Sequence, residues 1–154
     1  MTNHEAGPKR TMPRRVGALV ITHGRLAMEL VSAAKQIVGE TPHLQAISID
    51  WDADVASARG AIEEVLKTMD TGSGVLIFTD MFGGTPTNIS LTFLEPGHLE
   101  IITGVNLPML IKFLNLREED GITAVVERIK EKGQKSIQVA SEFLGQDLAP
   151  RQEK

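Results

Sequence analysis

The sequence predicts an α/β protein with a doubly wound, mostly parallel β-sheet and helices on both of its faces. Two observations predict this fold class. Four short apolar runs have the continuous Val, Ile and Leu content of strands that are buried on both faces. Each run is followed by a stretch in which apolar residues recur at helical spacing. Because strands that alternate with helices pair in parallel, we expect one such sheet in a single domain.

The four predicted strands cover residues 16–22, 44–49, 74–79 and 99–103. We expect their order in the sheet to begin 2-1-3-4, so that the first and third strands are neighbours. The residues themselves do not fix this order, which is an assumption.

The first two helices are predicted to follow the first two strands. Residues 25–38 carry an apolar stripe, and Gly39 is expected to end that helix. Residues 53–69 carry a second apolar stripe, for which Asp52 is the expected N-cap.

A polar residue close to a proline is expected to open each of the next two helices. Thr85 is predicted to cap a helix over residues 85–94 with its hydroxyl, with Pro86 at the first helical position. Asn106 is predicted to open a helix over residues 106–116 in the same way.

The last part of the fold is less regular in sequence. Residues 121–144 are predicted to be helical at first, and Gly133 is expected to interrupt the helix. Residues 136–140 fit either a further helix or a late strand.

The predicted domain spans residues 16–144. Residues 1–15 contain basic residues and prolines with almost nothing apolar, which predicts a disordered N-terminal tail. Met12 lies just before the predicted domain, so the sequence does not decide whether translation starts at Met1 or at Met12. Residues 145–154 are polar and predict a C-terminal tail.

Composition excludes several classes of protein and site. The net charge of -4 gives no reason to expect nucleic acid as a partner. The absence of cysteine excludes disulfides, thiolate zinc sites and cysteine nucleophiles. No apolar run approaches the roughly 20 residues that a membrane-spanning helix needs, and no signal-like pattern follows the N-terminus. We therefore expect a cytoplasmic protein.

Two predicted strand ends carry residues with distinctive chemistry. His23 follows the first strand and Asp80 follows the third. Ligands of doubly wound sheets bind at the carboxyl ends of the strands, near the point where the winding reverses. In the assumed strand order, His23 and Asp80 therefore meet at one rim of the sheet.

This pair of residue types suits nucleophilic chemistry. A carboxylate that is bonded to one nitrogen of an imidazole fixes the tautomer and directs the other nitrogen. Gly83 and Gly84 allow close approach of the backbone, and Thr85 adds a hydroxyl and free amides for a negatively charged group. Each segment alone also fits an ordinary turn or cap, and the pattern alone does not identify the group as phosphate.

Three motifs resemble a known family. The chain resembles the IIA component of the mannose family of the bacterial phosphoenolpyruvate:sugar phosphotransferase system (PTS). The resemblance covers most of the predicted domain and is carried by the segments VITHG at 20–24, TDMFGGTPTN at 79–88 and GVNLPML at 104–110.

The resemblance implies a role for each residue of the candidate site. It implies that His23 is phosphorylated on Nε2, that Asp80 holds Nδ1, and that Thr85 stands where the family has a phosphate-contacting serine. Gly83 and Gly84 belong to the same expected phosphate-binding loop. The family often has tryptophan at the position of Phe82, and no role that needs an indole is carried over. No metal or other cofactor is expected for the transfer.

The resemblance also implies partners. The histidine-containing phosphocarrier protein HPr is expected to donate the phosphoryl group, and a IIB protein to receive it. Because no IIB domain follows in this sequence, the expected acceptor is a separate protein. Family members are homodimers, often with an exchanged edge strand that cannot be located from this sequence. Membrane contact is expected only through PTS IIC and IID partners.

Two other roles stay open at this point. The chain fits a regulatory PTS module that is switched by phosphorylation of His23, or a phosphoryl donor subunit for dihydroxyacetone kinase. The sugar that is transported cannot be deduced. Trp51 follows the second predicted strand near the same rim, where either plain packing or contact with a partner explains it.

Overall fold

A computed structural model describes residues 14–116 and 120–147 of the chain. Its strands are β1 (Gly17–His23), β2 (Leu44–Ile49), β3 (Val75–Thr79) and β4 (Leu99–Thr103). Its helices are α1 (Leu26–Val38), α2 (Val55–Met69), α3 (Thr85–Leu91), α4 (Leu107–Leu114), α5 (Ile122–Lys135) and α6 (Ala140–Asp147).

The four strands form one parallel sheet in the order β2-β1-β3-β4. This arrangement confirms the predicted α/β class and the predicted strand order. The register places Ile21 opposite Thr79 of β3, and His23 opposite Ile49 of β2. The ends of β1, β2 and β3 therefore lie side by side at one rim of the sheet.

Helices cover both faces of the sheet, as the apolar runs in the strands predict. Helices α1, α4 and α5 pack on the face that includes Ala18 and Val20. Helices α2 and α3 pack on the opposite face, which includes Leu19 and Ile21. Successive side chains of a strand point to opposite faces, so β1 is buried along both of them. This burial holds β1 and its final residue in a fixed position.

Two helix caps differ from the sequence prediction. The N-cap of α2 is Asp54 rather than Asp52, and its carboxylate accepts hydrogen bonds from the backbone N and the hydroxyl of Ser57 at 2.9 and 2.7 Å. The N-cap of α3 is Gly84, and Thr85 is the first helical residue, without a side-chain capping bond. The prediction for Asn106 is confirmed, because its side chain accepts a bond from the backbone N of Met109.

Gly133 does not interrupt α5, contrary to the sequence prediction. The helix continues to Lys135. A Cβ atom at position 133 would lie 2.7 Å from both Cγ and Sδ of Met109 in α4. The glycine therefore provides space for close packing of two helices, which is a reason other than flexibility for its presence.

The segment after α5 is irregular and then helical. Residues 136–139 form neither helix nor strand, and α6 begins at Ala140 and continues to Asp147, beyond the predicted boundary at residue 144. Most of the predicted N-terminal tail, and residues 148–154 of the predicted C-terminal tail, lie outside the described residues. Within the described part of the chain, no helix has both the length and the apolar character needed to cross a membrane.

A second histidine–aspartate pair lies at the other end of the sheet. His98 Nε2 lies 2.6 Å from Asp70 Oδ2, and Asp70 Oδ1 accepts a bond from the backbone N of Gly72. Burial would raise the pKa of Asp70, but the hydrogen bonds from Gly72 and His98 outweigh it and lower this pKa. The pair joins the turn after α2 to the residue before β4.

Two glycine-to-alanine substitutions should change the free energy of unfolding in opposite directions. Gly74 has a φ of +89°, and a Cβ atom there would collide with the backbone oxygen of His98. We expect Gly74→Ala to lower the free energy of unfolding by more than about 1 kcal/mol. Gly60 lies within α2 with open space around it, so Gly60→Ala should raise the free energy of unfolding by about 0.5–1 kcal/mol. Urea denaturation measures both, and equal effects would contradict this prediction.

Candidate functional site

The predicted residues His23 and Asp80 meet at the rim of the sheet. His23 is the last residue of β1, and Asp80 directly follows β3, the neighbouring strand. Because parallel neighbours end at the same rim, the two side chains converge although they lie far apart in sequence. Both are largely buried, with 18% of the His23 side chain and 14% of the Asp80 side chain exposed.

Asp80 is bound by three N–H groups. Its Oδ2 accepts hydrogen bonds from His23 Nδ1 at 2.8 Å and from the backbone N of His23 at 3.0 Å. Its Oδ1 accepts from the backbone N of Met81 at 3.0 Å. Since a carboxylate only accepts, the proton of a neutral His23 lies on Nδ1, and Nε2 carries the free lone pair.

The surroundings of Asp80 keep its carboxyl group ionised. Burial by itself would raise the pKa of Asp80. The hydrogen bonds and charge of His23, with the backbone N of Met81, outweigh this effect and hold the pKa below its ordinary value. The residue is therefore a carboxylate at neutral pH, as required to orient an imidazole and to stabilise positive charge on it.

The two glycines of the following loop are needed for different reasons. Gly83 has a φ of +84°, a left-handed conformation that favours glycine. Gly84 lies against the imidazole, and a Cβ atom there would lie 2.5 Å from His23 Cε1 and 3.0 Å from Nε2. The backbone of the loop can therefore approach the edge of the ring that includes Nε2.

Two buried hydroxyl groups, whose role the sequence did not predict, support this loop. Thr87 Oγ1 donates to the carbonyl oxygen of Met81 at 2.6 Å. Because Thr87 has one hydroxyl proton, the hydroxyl of Thr79 is the donor in the 2.7 Å bond between Thr79 Oγ1 and Thr87 Oγ1. Both threonines are fully buried. A threonine at the end of an otherwise apolar strand is the sequence signal from which this contact could have been predicted.

Thr85 is exposed at the start of α3. It borders an open groove of about 260 Å³ together with Val55, Arg59 and Asn88. Its hydroxyl has no hydrogen-bond partner within residues 14–116 and 120–147, so it is available to a bound group.

Trp51 lies on the imidazole of His23. The two rings are stacked with centroids 5.0 Å apart and an angle of 23° between their planes. The tryptophan is 86% exposed, so this contact does not place it in the core. The sequence placed Trp51 near the rim but left its role open, because a pattern of residues does not give the direction of a side chain.

The other histidines of the described chain lie elsewhere. His98 pairs with Asp70 at the opposite end of the sheet, and the ring of His43 lies 5.4 Å from that of Phe113. Among residues 14–116 and 120–147, no group of three or more His, Asp or Glu side chains is arranged to hold a metal ion.

The family model that matches this chain and a known protein that resembles it are both described as IIA components of the PTS. Residues 17–130 match the family described as the PTS system fructose IIA component. The chain is 30% identical over 130 residues to the PTS fructose-specific EIIA component of Bacillus subtilis, covering 84% of this chain and 89% of that protein.

A longer relative and a solved structure extend the comparison. The chain is 34% identical over 105 residues to the PTS mannose-specific EIIAB component of Escherichia coli, covering 67% of this chain and 32% of that protein. It therefore spans about a third of that relative. The PTS IIA protein associated with the fucose utilization operon of Streptococcus pneumoniae has a TM-score of 0.76 and 25% identity, covering 84% of this chain and 96% of that one.

The lowered pKa of Asp80 predicts a specific dependence of stability on pH. A carboxyl group whose pKa is lowered by folding stabilises the protein above its ordinary value of about 4, and this contribution is lost as the pH falls through the lower folded value. We expect the difference in urea midpoint between the unmodified chain and Asp80→Asn to be largest above pH 4 and to shrink below it. Asp70 is present in both proteins and cancels in the comparison. A difference that stays constant from pH 7 to pH 3 would contradict the prediction.

Proposed function

Since this chain belongs to the mannose family of PTS IIA components, we propose that it is a phosphocarrier that holds the phosphoryl group on His23. The hydrogen bond of 2.8 Å between His23 Nδ1 and Asp80 carries the proposal. It occupies one ring nitrogen and leaves Nε2, which has no hydrogen-bond partner in the described part of the chain, available as the nucleophile.

The proposed transfer conserves charge and needs no added base. The lone pair of Nε2 forms a new N–P bond as the N–P bond of a phosphohistidine donor breaks. The electron pair of the broken bond returns to the donor imidazole. The proton on Nδ1 stays in place, so the His23 ring becomes positive, and the carboxylate of Asp80 offsets that charge. The same step in reverse passes the group to an acceptor histidine.

The loop after β3 is the proposed phosphate-binding element. The backbone of Gly84 lies against the ring edge that includes Nε2, and Gly83 supplies the turn that brings it there. We assign the exposed hydroxyl of Thr85 and nearby backbone amides as donors to the phosphoryl oxygens. Phosphoryl transfer depends mainly on positioning and on stabilising charge, which such donors supply.

Exposed apolar side chains around the site support a protein as donor and as acceptor. Trp51, Phe82 and Met81 are 86%, 74% and 56% exposed. Large apolar side chains that are grouped on a surface are typical of protein interfaces. We propose HPr as the donor, a separate IIB protein as the acceptor, a cytoplasmic location, and membrane contact only through IIC and IID partners.

We also propose that the chain forms a homodimer through the β4 edge of the sheet. Among the described residues, β4 pairs with β3 on one side, and on its other side only Leu99 is paired, in an isolated bridge to Glu95, so the rest of that edge is open. A groove of about 460 Å³ beside it is bordered by Ile101, Met109 and Val126. The neighbouring segment exposes Ile137 and Val139 by 80% and 56%. An unpaired edge beside apolar side chains is a surface that native proteins usually cover.

A transfer assay tests the phosphocarrier role. With enzyme I, HPr and labelled phosphoenolpyruvate, we expect the unmodified chain to take up label and His23→Ala to take up none. Asp80→Ala should slow labelling by about ten- to a hundredfold, because the imidazole loses the group that orients it. His98→Ala is the matched control, since it removes the histidine of the other His–Asp pair, and it should label normally. Labelling of His23→Ala would refute the proposal.

The choice of acceptor distinguishes the relay from the other two roles. The labelled protein is offered to a IIB protein and, separately, to dihydroxyacetone kinase. Transfer to IIB supports the proposed relay, and transfer to the kinase would replace it with the donor-subunit role. Transfer to neither, with a partner bound in only one phosphorylation state, would indicate the regulatory module.

Mass measurements in solution test the dimer. We expect Ile137→Asp combined with Val139→Asp to convert a dimer to a monomer, because charged side chains would enter an apolar contact. Ile37→Asp is the control, since Ile37 is 61% exposed on α1. Light scattering at micromolar concentrations gives the mass, and an unmodified chain that is monomeric there would contradict the proposal.

A further inference from the structure

Trp51 belongs to the exposed apolar surface around the site, but the proposed transfer step does not use the stacking of its indole on His23. Its ring lies 5.0 Å from the ring of His23, and yet the side chain is 86% exposed. A tryptophan that served only the core would be buried. The contact with His23 is instead made from the solvent side of the imidazole.

The backbone holds Trp51 in place beside the histidine. Trp51 lies in a tight turn that is closed by a 3.1 Å bond from the backbone N of Ala53 to the carbonyl oxygen of Asp50. At the start of this turn, the carbonyl oxygen of Ile49 accepts a 3.0 Å bond from the backbone N of Gly24. The residue after His23 and the residue just before the turn are thus joined directly.

We propose that Trp51 is a positioning residue for phosphoryl transfer at His23, an inference that rests on the proposed function. The hydrogen bond to Asp80 fixes Nδ1 but leaves the ring able to tilt about that contact. The indole covers one face of the ring, and Gly84 lies along the edge with Cε1 and Nε2. Together the three contacts hold the ring plane and therefore the direction of the Nε2 lone pair.

The charge that develops during transfer adds to this effect. When Nε2 binds phosphorus, the His23 ring becomes positive while Nδ1 keeps its proton. The face of an indole attracts a cation, and more strongly than it attracts a neutral ring. The stack therefore stabilises the transferring state more than the starting state, which is the condition for an increase in rate.

Steady-state kinetics distinguish positioning from simple docking. With phosphorylated HPr as the substrate, we expect Trp51→Ala to lower kcat roughly three- to tenfold, the range expected for loss of an aromatic stack. The KM for HPr should change less than kcat. Trp51→Phe keeps a ring that can stack and should restore most of the lost rate.

Phe82→Ala is the comparison variant for this experiment. Phe82 is 74% exposed in the loop next to the site, and no ring contact with His23 is present in the described residues. Its loss should affect KM more than kcat. An unchanged kcat in Trp51→Ala, a change confined to KM, or a Trp51→Phe protein as slow as Trp51→Ala would overturn the inference.

Two spectroscopic readouts test the contact apart from turnover. Trp51 is the only tryptophan of the chain, so its fluorescence should change when His23 is phosphorylated. In the unphosphorylated protein, the NMR signal of the His23 Cε1 proton should move when Trp51 is replaced by Ala, because the ring current of the indole is lost. Unchanged signals in both measurements would show that the stack is absent in solution.

The results separate failure of this inference from failure of the proposed function. If the unmodified chain accepts no label, the phosphocarrier role fails, and the positioning role fails with it. If the unmodified chain accepts label and Trp51→Ala accepts it with the same kcat, only the inference about Trp51 fails.

Discussion

The carboxylate of Asp80 is the group on which the whole site depends. One of its oxygens accepts hydrogen bonds from both the backbone N and the ring Nδ1 of His23. The other oxygen accepts a hydrogen bond from the backbone N of Met81. A single side chain thus joins the end of β1 to the loop that follows β3. This is possible only because the two strands are parallel neighbours with a register that brings their ends to the same rim. The sheet topology is therefore a requirement of the contact between His23 and Asp80 as well as a consequence of the apolar sequence.

The remaining parts of the site follow from this fixed pair. Once Nδ1 is held, Nε2 faces the region beside Gly84, where the absence of a side chain leaves room for the backbone to approach. The indole of Trp51 restricts the ring from one face. Asp80, Gly84 and Trp51 contact different parts of the same imidazole, namely Nδ1, one edge and one face. Each contact therefore limits a motion of the ring that the other two allow.

Much of this arrangement could be predicted from the sequence. Continuous apolar strands predicted the fold class, and the positions of His23 and Asp80 after the first and third strands predicted that these two side chains meet at one rim. A sequence pattern does not give the direction of a side chain, so it did not predict the stacking of Trp51 or the hydrogen bond that Thr87 donates. Asp52 is the predicted N-cap of α2, whereas Asp54 is the actual one, because the backbone conformation decides which residue caps the helix and the sequence does not show it. Gly133 was misread because its packing partner, Met109, is distant in sequence. The role of Thr85 stays a prediction.

The hydroxyl chain beneath the loop implies that two positions are coupled. The hydroxyl of Thr79 donates a hydrogen bond to that of Thr87, and the hydroxyl of Thr87 donates one to the carbonyl oxygen of Met81, so the direction of both bonds is set. Replacing Thr87 alone by valine would leave the buried hydroxyl of Thr79 without an acceptor and the carbonyl oxygen of Met81 without a donor. Replacing both threonines by valine would remove the first of these costs. The effects of the two changes should therefore be non-additive, and substitutions at these positions should be acquired jointly rather than independently.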